Sequence, residues 1–189
     1  MSAVNALFNH PGLRSMLVKL RAPIAIAAAA VLIAYADPRW LWPAFAVSMA
    51  GEFIQLWCFA TLDKNSSLAC RGPYALVRNP MYLGRFFILG GALLLLGQPW
   101  LLLPYAIGYW FYMVNRVARE ERRLREVLGK PYADYCEGTH RFLPGAPYRG
   151  EPVLVWDWKL FGQNHGWQNL LGTVAFWAAA IGWLSTRAR

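Results

Sequence analysis

The chain has 189 residues, 57% of them hydrophobic and 15% charged, well short of the about 25% charge of a soluble domain. With ten Trp, nine Tyr and a mean hydropathy of +0.28, it reads as one integral membrane domain over 1–189. The net charge of +9 does not argue for nucleic acid: no recognition motif accompanies it, and the basic residues cluster where loops on one membrane face would lie.

A hydrocarbon layer of about 30 Å needs about 20 apolar residues per helix, and the expected architecture is all-α with five spans. The first covers 16–36. It lacks a clear cleavage site and reads as a helix that stays; the alanines Ala27 to Ala30 suit close helix contact. Asp37-Pro38-Arg39 turns into the second span, 40–62. This span carries Glu52 and Gln55 near mid-depth, where an acid faces the bundle or a wet cavity. Glu52 admits both a packing and a functional reading. The third span, 80–97, follows a polar connection (63–79) and ends at Gly97-Gln98-Pro99. The fourth, 100–118, continues as a charged helix, and so short a turn makes the two an antiparallel hairpin. The proline-broken, aromatic segment 119–166 precedes a last span, 167–184; its Trp156, Trp158, Phe161 and Trp167 suit the membrane boundary.

Basic residues gather in the N-terminal segment, the 63–79 loop and the stretch from Arg116 to Lys159. That side is expected to be cytoplasmic, in a plasma- or inner-membrane type of protein. The three cysteines, Cys58, Cys70 and Cys136, show no metal or pairing spacing. His10, His140 and His165 are too scattered for a metal site, and no GxSxG elbow is present.

The hairpin brings two polar elements to one boundary. Arg116 and Glu120 share a helix face at i, i+4, whereas Glu121 points about 100° away. Alone, the pair is an exposed ion pair worth a few tenths of a kcal/mol; at the mouth of an apolar bundle, partly desolvated charges hold ligands more strongly. In Arg78-Asn79-Pro80-Met81-Tyr82-Leu83-Gly84, Pro80 suits a first helical turn and Asn79 suits its cap. Arg119, Arg122, Arg123 and Arg125 suit lipid headgroups or water.

Taken together, Gly72-Pro73-Tyr74, the Arg78–Gly84 run, Glu120-Glu121 with Leu124, Gly129, Tyr132, Tyr135 and Arg141-Phe142-Leu143-Pro144 resemble the isoprenylcysteine carboxyl methyltransferase family, to which the phospholipid methyltransferases are related. The resemblance covers about 68–144. It implies a membrane enzyme using S-adenosylmethionine, with Ser67, Leu68, Tyr74, Asn79, Pro80, Met81, Tyr82 and Glu120 at the cofactor. It also implies that Arg116 holds the methylated group of a lipophilic acceptor, a carboxylate in the best-known members. Asn79 departs from the family's histidine: an amide serves a cofactor contact but not a general base. Two other classes stay open, a nicotinamide-dependent membrane reductase of the sterol reductase type and a non-enzymatic membrane scaffold.

Overall fold

The computed structural model describes residues 11–63 and 68–187, with backbone alone for 11–19. Among the described residues every regular element is helical: α1 (Pro11–Ala34), α2 (Leu41–Thr61), α3 (Pro73–Leu76), α4 (Pro80–Leu94), α5 (Leu102–Leu128), α6 (Lys130–Gly138), α7 (Trp158–Gln163) and α8 (Gly166–Arg187), with short 3-10 turns at Pro38–Trp40, Pro99–Leu101 and Tyr148–Gly150. The all-α expectation is borne out. Among the described residues two stretches are long and apolar enough to cross a membrane, Pro38–Thr61 and Gly166–Arg187. Leu20–Ala34 and Pro80–Leu94 are shorter apolar helices. At 15 residues, α4 is about 22 Å long, less than the hydrocarbon thickness.

The central pair is α2 against α4. Their backbones touch through glycine: a Cβ on Gly51 would lie 2.5 Å from the Gly84 carbonyl oxygen, and one on Gly91 2.5 Å from the Ser48 nitrogen. Small residues let helices approach this closely where hydrophobic burial gives no drive for association. The Ser48 hydroxyl adds a hydrogen bond to the Ile88 carbonyl at 3.1 Å. These contacts run antiparallel, so the end of α2 and the start of α4 lie together.

At the opposite end, Asp37 joins two turns. Its side chain accepts from the Arg39 amide at 2.9 Å, its own amide donates to the Leu95 carbonyl at 2.8 Å, and its carboxylate fills the space beside Gly97, where a Cβ would come within 2.7 Å. Gly97 has φ +69°, which glycine adopts without strain. Ala36, Ala44, Leu94, Leu95, Trp177 and Leu184 are buried together here.

The α4–α5 hairpin forms as expected, around Tyr82, Tyr109, Met113 and Val117. From there α5 runs unbroken to Leu128, carrying Arg116 to Arg125 beyond the apolar core. The expected non-membrane segments hold α3, α6 and α7.

Candidate functional site

The site lies where α4 begins, α5 emerges from the bundle and the segment after α6 folds back. Pro80 occupies the first turn of α4 and is fully buried. Asn79 stands at the N-cap position, yet its side chain makes no capping bond, contrary to the cap its sequence position suggests. The amide instead donates to the Arg141 carbonyl at 3.2 Å and to Glu121 Oε1 at 3.4 Å. Donation through Nδ2 to these two acceptors, one of them a carboxylate, orients the amide so that its oxygen does not cap the helix end.

Tyr82, buried three residues after Asn79, has both ends held. Its hydroxyl donates to Glu120 Oε2 at 2.9 Å, and its backbone carbonyl accepts the Tyr109 hydroxyl at 2.7 Å. Arg116 approaches the same phenol, one turn before Glu120. Among the described residues, none of the ion pairs joins Arg116 to Glu120; the Tyr82 hydroxyl is their shared partner. Both side chains are exposed. Arg85 stands over the Tyr82 ring at 5.7 Å and reaches the Met81 sulfur at 3.5 Å.

Glu121 turns the other way. It is 3% exposed and meets two guanidinium groups. Arg141 grips it through both Nε and Nη2, and Arg78 Nε lies 3.2 Å from Oε1, at ion-pair range. Arg78 is anchored in turn: its Nη1 donates to the Cys136 carbonyl at 2.6 Å, and its amide donates to the His140 carbonyl at 2.9 Å. The hydrogen bond to Glu121 holds the Arg141 guanidinium charged, its ionisation pushed further up. This clamp ties α5 to the start of α4 and to the segment behind α6. Sequence reasoning set Glu121 aside on its helical angle, although a signal was present. Met113, Val117, Glu121, Leu124 and Leu128 recur at helical spacing, which places the acid on the buried stripe.

Tyr74 is buried beside Cys58. Burial pushes its phenol well above the usual range, and the neighbouring Cys58 thiol adds to the rise. Its backbone carbonyl accepts the Tyr135 hydroxyl at 2.6 Å, and burial raises Tyr135 as well. Both phenols therefore stay neutral and act as hydrogen-bond partners rather than bases. Leu68 packs on the Tyr132, Tyr135 and Tyr148 cluster; Ser67 lies outside the described residues.

A cavity of about 250 Å³ opens between α4 and α5, lined by Leu83, Phe86, Tyr109, Trp110, Met113 and Phe142 among others. Of the expected site residues, only Asn79 lines it. The structure thus joins Tyr82, Glu120 and Arg116 in one cluster and sets Asn79 between the Glu121 clamp and this apolar space.

The phospholipid methyltransferase family profile matches residues 24–131, more than half of the chain. The chain belongs to the phospholipid methyltransferase family. The match takes in Tyr74 to Tyr82 and Arg116 to Glu121 but stops before Arg141.

Curated relatives carry the name first suggested by the motifs. Over 82 residues the chain is 30% identical to a probable protein-S-isoprenylcysteine O-methyltransferase of Oryza sativa subsp. indica, covering 43% of each chain. It is 26% identical over 86 residues to protein-S-isoprenylcysteine O-methyltransferase B of Arabidopsis thaliana, covering 46% of this chain and 42% of the relative. With protein-S-isoprenylcysteine O-methyltransferase of Tribolium castaneum the identity is 32% over 77 residues, covering 41% and 27%. The matched stretch thus spans less than half the length of these relatives. No solved structure matches the chain.

Proposed function

We propose that the chain is a membrane methyltransferase that uses S-adenosylmethionine and methylates a lipophilic acceptor, most simply a carboxylate. The observation that carries this reading is the meeting of Tyr82, Glu120 and Arg116 beside a lateral apolar cavity headed by Asn79. In this proposal 1–189 is one domain whose five expected helices span the bilayer, with the site on the cytoplasmic side.

The residues fit the cofactor by their chemistry. S-adenosylmethionine supplies a methyl group on a cationic sulfonium, together with hydroxyl, amino-acid and aromatic parts. Glu120 has one oxygen bonded to Tyr82, leaving acceptor capacity for a hydroxyl or cationic group. Tyr74, Asn79, Pro80, Met81 and Tyr82 would form the remaining wall, with Ser67 and Leu68 upstream.

Arg116 would orient the acceptor's carboxylate. Such a nucleophile is already deprotonated near neutrality, so a base at Asn79 is unnecessary. The protein's contribution is positioning, which can lower a bimolecular barrier by several kcal/mol. Leu83, Phe86, Trp110 and Met113 would exclude water and receive part of the acceptor's chain. At about 250 Å³, the cavity is smaller than the about 300–1,000 Å³ typical of whole-ligand sites, and suits a section of chain.

The test is calorimetric titration of the detergent-purified protein with S-adenosylhomocysteine and, separately, NADPH. The proposal expects binding of the first only. Glu120→Ala and Tyr82→Ala should each weaken it at least about tenfold, or about 1.4 kcal/mol. NADPH binding without S-adenosylhomocysteine binding would instead support a reductase; unchanged affinity in both variants would remove these residues from the cofactor site.

A further inference from the structure

The segment 152–167 is fastened to the site end of α2. The Gly72 amide donates to the Pro152 carbonyl at 2.9 Å, and the Asp157 amide to the Ala60 carbonyl at 3.0 Å. Trp57 Nε1 donates to the Val155 carbonyl at 3.2 Å. Asn164 Nδ2 reaches the Phe59 and Leu62 carbonyls at 3.0 and 2.6 Å. The bonds to Phe59, Ala60 and Leu62 satisfy carbonyls that a helix C-terminus leaves without intrahelical partners. Asp157 also caps α7, accepting from the Lys159 and Leu160 amides at 2.7 and 3.1 Å. The strap is built, not draped.

Its outer face carries an apolar, aromatic patch among exposed polar residues that include Asp157, Gln163 and His165. Phe161 is 1% exposed at the centre of a ring cluster. Trp156 stacks on it at 5.5 Å, Trp167 meets it edge-on at 5.0 Å, and Trp158 lies parallel to Trp167 at 6.0 Å. The three indoles are nevertheless 39%, 64% and 52% exposed in the order 156, 158, 167, and Leu154 is 93% exposed. Lys159 lies beside them, exposed.

We propose that this strap is an interfacial foot whose occupant is the headgroup–acyl boundary of the bilayer. Continuity decides for lipid over a protein partner. Trp167 belongs to the first turn of α8, one of the two stretches apolar and long enough to cross a membrane. The exposed face of that helix continues with Leu171 and Val174. The indole patch therefore starts where the span starts, at the depth where amphipathic rings are favoured. Because the strap is bonded to α2 and Gly72, it holds the mouth of α4 at the same depth. This inference does not depend on methyl transfer.

Leu154 has almost no protein contact to lose, so a nitroxide at Leu154→Cys, in a Cys70→Ser/Cys136→Ser background, reports depth without disturbing the fold. A second label at Trp158→Cys samples the cluster itself. The full chain goes into vesicles of phosphatidylcholine and phosphatidylglycerol. Power saturation with oxygen and a water-soluble nickel chelate is compared with Val174→Cys as the lipid-facing reference and Glu137→Cys as the aqueous one. Both strap labels should show depth values between the two references, with nickel access well below that of Glu137→Cys. Nickel access equal to Glu137→Cys would overturn the proposal. So would loss of access to both reagents that grows with protein concentration, which would mark a protein interface instead.

Discussion

Glu120 and Glu121 are adjacent, yet the about 100° step between them sends one outward to Tyr82 and the other inward to Arg78 and Arg141. The inner acid should dominate stability. Removing one member of a buried ion pair leaves a charge without its partner, at about 3–5 kcal/mol. Arg141 is 38% exposed at its side chain and can recover water, but Arg78 is only 11% exposed and cannot, so Glu121→Ala is expected mid-range, about 4 kcal/mol. Thermal unfolding in detergent should show a fall of about 8–16 °C. Glu121→Ala/Arg141→Ala should lose less than the two single losses added together. Strictly additive losses would mean that the clamp contributes no coupling. The i, i+4 rule made the Glu120 face legible in sequence, and the motif order located Tyr82. The rule could not show that Asn79 prefers the Arg141 carbonyl to its own helix end, because that acceptor lies 62 residues away.

Helix lengths depend on where packing stops, and this limited what the sequence alone disclosed. The apolar run after Pro80 continues to Leu96, but α4 ends at Leu94, where the chain turns toward Gly97 and Asp37. The charged continuation of α5 was legible, and it stays helical to Leu128 because Val117, Glu121 and Leu124 give it an inward stripe. The glycines were legible as small, though not as paired. In the structure Gly91 sits against the Ser48 nitrogen and the Ala44 carbonyl, rigid groups that cannot rotate aside. Gly91→Val should therefore force α2 and α4 apart at a cost of about 1–3 kcal/mol or more. Gly108 is the contrast, with nothing among the described residues within 4 Å of where its Cβ would stand. Gly108→Ala should be neutral or stabilising by up to about 1 kcal/mol, since alanine has the higher helix propensity. The two unfolding temperatures, measured in the same detergent, should move in opposite directions or differ by several degrees; equal shifts would contradict the close α2–α4 approach.

Across the whole molecule, α8 must be held to a bundle that it touches mainly through one face. Position marked Glu52 in advance as an inward acid, but its partners are 117 and 121 residues away, too far for any local pattern to show. Asn169 Nδ2 reaches both carboxylate oxygens, at 2.8 and 2.9 Å, and the Thr173 hydroxyl adds a bond at 2.9 Å. Asn169 and Thr173 share a helix face at i, i+4, so one acid gathers one turn of α8. At the other end of the interface Trp177 meets Phe45 edge-on at 5.3 Å, a contact that fixes orientation less tightly than three convergent hydrogen bonds. Hydrogen bonds between membrane helices average about 0.6 kcal/mol and reach about 1.7; a buried acceptor with 3% exposure belongs toward the upper value. A double-mutant cycle of Glu52→Ala with Asn169→Ala, followed by detergent-induced unfolding, should give a coupling of about 1–2 kcal/mol. Glu52→Ala leaves the Gly51–Gly84 approach unaltered, so the loss would fall on α8 docking rather than on the α2–α4 core. A coupling near zero would place the attachment of α8 in the Trp177 contacts instead, and would make Glu52 available for a role other than joining helices.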